Sequence, residues 1–222
     1  MSLGVASFDE LNRLVGMNRS EPFDEYFEPM KLTTEQKRER KRLAEALESE
    51  FVYMLSYMFY AYPTITAEMA DELRDRYINA LIEVGIVAGE AVILTGGYIE
   101  YYQQAQKFAI DAVAATQRHQ DDPYYYSEDR ARLCSEDQAN FIGDIKDFKE
   151  ASENGYMFKT WETAGDNRVR DTHAEVEGLT IPIDEPFVLA GGMLNHPHDS
   201  SLGADPSEIS GCRCSLSFSY GE

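Results

Sequence analysis

The chain has 222 residues, 20 Lys or Arg against 40 Asp or Glu, and a formal net charge of −20. That length holds one large or two small domains, and 43 % apolar residues supply a core. A surface this acidic repels phosphate backbones and anionic lipid, which speaks against broad nucleic-acid or membrane-surface binding.

Residues 1–32 read as an irregular arm, with Pro22 and Pro29 flanking the acidic, aromatic run 23–28. No basic segment followed by an apolar block marks a signal peptide. The first long helix starts near Thr33, where Thr33 and Gln36 have capping-box spacing. Leu43, Leu47, Phe51, Met54, Leu55 and Met58 recur at three and four residues and form its apolar face. Lys37, Arg38, Arg40, Lys41 and Arg42 form a dense basic cluster on it. Such a cluster is most simply a solvated face; the sharper reading is contact with DNA or an acidic partner. Pro63 ends this helix.

A second helix follows with Thr66 as N-cap, and Gly85 and Gly89 suggest close helix contact. Thr95-Gly96-Gly97 breaks the chain. The third helix runs from about Tyr98 to His119, where His119 serves as a C-terminal cap, and Asp121-Asp122-Pro123 stops it. Ser127 caps the fourth, in which Cys134 occupies a core position, and Asn154-Gly155 stops it. The most apolar stretch, Val84 to Leu94, is shorter than the roughly 18 residues that span a bilayer.

After Gly155 helical spacing gives way to short strands and turns. Tyr156 to Trp161 is extended, and Val169 to Val176 makes one or two helical turns. Leu179 to Ile183 is an edge strand because of Pro182. The end alternates, with Cys212, Cys214, Leu216, Phe218 and Tyr220 on one face of a strand. The fold class is therefore α+β. An arm (1–32) and a helical region (33–155) precede a small mixed α/β domain (156–222).

This last domain concentrates rare side chains: the one Trp, three of four His and two of three Cys. Three Cys, two of them one residue apart, make no disulfide framework and fit a reducing compartment. Cys212 and Cys214 could share a zinc ion with His173 and His196, or with His198 or Asp199 in place of the latter. Against this, zinc ligands usually stand two residues apart on a turn, so the prevailing expectation is no cofactor, with both Cys as small core residues. His173, Asn195 and Asp199 are raw material for a metal-dependent nuclease, and His173 with either Cys for a hydrolase. No nucleophile elbow, phosphate loop or dinucleotide fingerprint accompanies them. A structural use of the same residues is stronger. Arg168 and Arg170 can pair with Asp171, Asp199 or Asp205, Arg213 with an acid of the long loop, and Trp161 can cover the core.

The order of these residues resembles the phage Mu F-like minor head protein family, also called head morphogenesis proteins. The resemblance rests on Lys159, Trp161, Asp166, Arg168, Arg170, His173, Gly178, Phe187, Pro197, Asp199, Cys212, Arg213 and Cys214. Upstream, Arg130, Ala131, Arg132 and Glu136 extend it, so that it covers about residues 125–216. Two positions depart from the family pattern. Gly211 stands where Asn usually precedes Cys-Arg-Cys, and His198 replaces the glycine of a Pro-Gly-Asp loop. The resemblance implies a non-enzymatic structural protein of a tailed phage or prophage, located in the virion head near the portal and assembled in the bacterial cytoplasm. It implies association with the portal protein, with major capsid or scaffolding protein as further partners, and a part in head assembly and DNA packaging or delivery. The competing class is a metal-dependent nuclease or hydrolase centred on His173 and the two Cys.

Overall fold

The structure is a computed structural model that describes residues 7–15, 22–87 and 99–221. Its described elements are α1 (Phe8–Val15), α2 (Phe23–Phe27), α3 (Thr34–Ala61), α4 (Met69–Glu83), α5 (Ile99–Arg118), a 3-10 turn (Pro123–Tyr126), α6 (Glu128–Glu153), β1 (Phe158–Glu162), α7 (Asp171–Ala174), β2 (Thr180–Pro182), β3 (Phe187–Leu189), β4 (Gly192–Leu194), α8 (Pro206–Ile209) and β5 (Ser215–Ser219). Helices followed by a small region of antiparallel strands make the fold α+β, as the sequence predicts. Gly89, the Thr95-Gly96-Gly97 break and most of the Val84–Leu94 stretch lie outside the described residues.

Contacts gather into two units, one of residues 1–20 with 42–135 and one of residues 21–41 with 136–222. Residues 21–32 of the predicted arm and 136–155 of the predicted helical region thus belong with the C-terminal strands. The predicted arm is not irregular throughout: it contains α1 and α2, and Phe23, Tyr26, Phe27 and Met30 are buried.

In the first unit α4 packs along α5, and Phe51, Tyr77 and Phe108 form a ring cluster with centroids 4.7–6.0 Å apart. The predicted face of α3 is the buried one, from Leu43 through Leu47, Phe51 and Met54 to Met58. Thr66 does not cap α4. The Met69 N–H bonds the Thr66 carbonyl instead, a backbone turn leads in, and Glu68 makes no side-chain cap. The predicted capping by Ser127 is made, its Oγ accepting from Arg130 N–H at 3.2 Å. Cys134 is half-buried, not a core residue.

In the second unit the capping box of α3 is reciprocal: Thr33 N–H donates to Gln36 Oε1 at 2.9 Å, and Gln36 N–H to Thr33 Oγ1 at 3.2 Å. The three-stranded antiparallel sheet has the order β2-β1-β5, so the Pro182 strand is an edge as expected. A separate β3–β4 hairpin adds Phe187, Leu189 and Leu194 to a core centred on fully buried Trp161. The terminal strand is shorter than the alternation suggests. It begins at Ser215, and Cys212 and Cys214 sit in the irregular turn before it.

Candidate functional site

The chemically capable side chains of the second unit converge, but as partners of one another. Trp161 of β1 meets the rings of Phe187 and His173 edge-on at 5.1 and 5.4 Å. Two residues back on the same face of the strand, Lys159 is equally buried. Its Nζ donates to the Asn195 carbonyl at 2.8 Å and lies over the rings of Phe148 and Phe187. Burial lowers this ammonium to about 8, against the pull of Asp199 and Asp184.

His173 lies in the one-turn helix α7 and is 1 % exposed. Its Nε2 lies 3.0 Å from Glu208 Oε2, and its Nδ1 faces two sulfurs, Cys214 Sγ at 3.3 Å and Cys212 Sγ at 3.6 Å. Glu208 is supplied by α8, which Asp205 starts by accepting from Ser207 N–H. Thr172 Oγ1 and Gly191 N–H also donate to Glu208, so both its oxygens are occupied. Hydrogen bonding with Cys214 and then burial push the Cys212 thiol well above its ordinary range. The trio lines a small cleft together with Asp166, Arg168, Val169, Arg170 and Arg213.

The arginines pair differently from expectation. Arg213 holds Asp166, not an acid of the long loop. Arg170 donates to the Ser210 carbonyl, and Arg168 bonds Asp166 Oδ1 through its backbone N–H. Asp199 accepts from Asn195 N–H at 2.9 Å and Ser201 N–H at 2.8 Å, and so closes its own turn. Burial opposes its charge, but His196 and these bonds hold its carboxyl below the usual range. His196 packs against Phe141 and Phe148 and bonds the Pro197 carbonyl. It stands outside the group of His173, Cys212 and Cys214, whose ligand atoms lie within 4.8 Å of one another.

Two partners were missed in the sequence. Glu208 carries the signal of a capped helical turn (Asp205-Pro206-Ser207-Glu208), but nothing local aims it at His173. The second is a buried network in which Asp144 receives Arg40 at 2.8 Å on one oxygen and His198 at 2.7 Å on the other. His198 Nε2 bonds the Cys212 carbonyl at 2.8 Å. Burial opposes charge on His198, yet Cys212 and Asp144 outweigh it and raise the imidazolium to about 9. Arg40 also reaches Asp147, and Lys37, Arg38 and Lys41 pair with Glu28, Glu35 and Asp24. Four of the five cations of the basic cluster are therefore matched by acids of the same unit.

Both departures from the family pattern have a backbone explanation. His198 has φ 66°, the left-handed region that a turn glycine occupies without strain, and its two ring hydrogen bonds hold it there. Gly211 has φ 66° as well, a conformation shared by Gly and Asn.

Neither the curated proteins nor the solved structures offer a match to this chain. Residues 97–217, more than half of it, match the family described as Phage Mu protein F like protein. The matched span contains α5, α6 and the sheet unit up to β5. The chain belongs to the phage Mu F-like protein family and is a structural protein of bacteriophage head morphogenesis.

Proposed function

We propose that this protein is a minor head protein of a tailed phage or prophage, bound beside the portal in the virion and acting in head assembly and in DNA packaging or delivery. It is assembled in the bacterial cytoplasm and performs no catalysis. The observation that carries the reading is the use of the signature residues. Lys159, Trp161, His173, Cys212 and Cys214 are each at most 2 % exposed, and Asp166 is bound to Arg213. Groups held by one another specify a single conformation of a small unit, which is what a part of an assembly requires.

DNA contact is disfavoured by the charge of −20 and by the pairing within the basic cluster. No helix among the described residues is long and apolar enough to cross a membrane. Tyr53, Tyr57 and Tyr60 of α3 are 52 %, 48 % and 66 % exposed, and tyrosine is enriched at protein interfaces. They are the first residues to vary in seeking the portal contact, with capsid and scaffolding protein as the other partners.

Co-expression with the portal protein and the other head proteins of the same phage tests the reading. The chain is expected to co-purify with the portal at salt concentrations that abolish binding to duplex DNA. Migration alone, with salt-dependent DNA affinity, would speak for a packaging factor that binds nucleic acid. Metal-dependent cleavage of DNA, lost in a folded His173→Ala variant, would replace this reading by the nuclease.

A further inference from the structure

His173, Cys212 and Cys214 present a donor problem. If Nε2–H of His173 donates to Glu208, its Nδ1 carries a single lone pair. Two thiols approach that lone pair at 3.3 and 3.6 Å, and only one S–H can point along it. A cation resolves the competition, because it accepts from the nitrogen and both sulfurs at once.

The dimensions fit one metal. With Zn–N of about 2.0–2.1 Å and Zn–S of about 2.3 Å at tetrahedral angles, nitrogen and sulfur ligands stand about 3.5 Å apart. The two observed separations fall on either side of that value. Glu208 on the far nitrogen is the arrangement that orients a metal-binding imidazole and fixes its tautomer. The carboxylate is itself fixed by Thr172 and Gly191. Cys214 N–H donates to Cys212 Sγ at 3.4 Å and would remain a donor to that sulfur once a metal had displaced its proton. Two thiolates and an imidazole select zinc over magnesium or calcium, which take oxygen ligands.

We propose that His173 Nδ1, Cys212 Sγ and Cys214 Sγ bind one zinc ion, with a water from the adjoining cleft as the fourth ligand. Binding releases the two thiol protons to solvent. The ion ties α7 to the turn before β5, segments about forty residues apart in the chain.

The test uses the full chain, expressed without an affinity tag and purified under reducing conditions. One zinc per chain is expected by elemental analysis, and a strong chelator should lower the thermal midpoint. Cobalt(II) added to the metal-free protein should give the visible bands of a tetrahedral site and a thiolate-to-cobalt charge-transfer band. Cys212→Ser and Cys214→Ser should each weaken that band, whereas Cys134→Ser, outside the trio, should leave it intact. Glu208→Gln should keep the spectrum but bind the metal about 10–100-fold more weakly. The proposal is overturned if the reduced wild-type chain holds no stoichiometric metal and gives no cobalt spectrum. It is equally overturned if the Cys134→Ser variant alone loses the metal. Because the wild-type titration is decisive, a variant that fails to fold leaves the outcome readable.

Discussion

Nε2 of His173 lies 3.0 Å from Oε2 of Glu208, with Nδ1 on the opposite side of the ring turned to Cys214. This pair sets the orientation of the imidazole, and it is sensitive to a residue that carries no charge. Gly191 passes so close that a Cβ there would stand 2.5 Å from Glu208 Cγ and Oε1. Gly191→Ala is expected to push Glu208 off His173 and to cost about 1–3 kcal/mol, the penalty for overpacking a filled site. Urea denaturation of the variant checks this, with an unchanged midpoint as the contrary result.

The Arg40–Asp144 bridge is 3 % exposed on both sides, and Asp144 also carries His198. Removing Asp144 leaves the buried His198 without its counter-charge and the buried Arg40 with Asp147 alone. Asp144→Asn is expected to destabilise by about 3–5 kcal/mol, while replacing Arg40, Asp144 and His198 together by apolar residues should cost less than that single change. Equilibrium unfolding of the single and triple variants compares the two.

Lys159 makes stability depend on pH with a defined sign. Burial lowers the folded ammonium from 10.5 to about 8, so between these values the unfolded chain holds a proton that the folded chain has released. The penalty for the buried charge is full below pH 8 and vanishes as pH rises to 10.5. His198 works the other way: its folded value is raised from 6.5 to about 9, and the stability it confers is lost as pH rises through 9. The difference between wild type and Lys159→Met, followed by urea midpoints from neutral to alkaline pH, isolates the lysine. The rise in stability above pH 8 is expected to disappear in the variant.

Gly211 separates backbone from side chain. A Cβ there meets nothing within 4 Å, so only φ 66° limits the residue. Gly211→Asn should cost under about 1 kcal/mol, and Gly211→Val clearly more, because β-branched residues are genuine outliers at positive φ. Thermal midpoints of the two variants decide, and equal losses would contradict the argument.

Much of the fold was legible. The capping box of Thr33 and Gln36, the buried stripe of α3, the cap by Ser127 and the edge position of Pro182 all rest on neighbours within a turn or on local periodicity. Thr66 failed because a backbone turn took the place of its side chain. The last strand was overextended because alternation continues through Cys212 and Cys214, although pairing with β1 begins only at Ser215. The pairings of Arg40, Arg170 and Arg213 and the partners of His173 were not legible, since they join residues 35 to 107 positions apart.

The sequence by itself determined the four long helices, the acidic surface and the order of residues that marks the family, since each depends on local spacing or on composition. Only the tertiary structure decided that His173 meets two sulfurs and Glu208, and that Asp144 lies between Arg40 and His198. Those relationships depend on how distant segments close around Trp161, and no local pattern encodes the direction in which a buried side chain will find its partner.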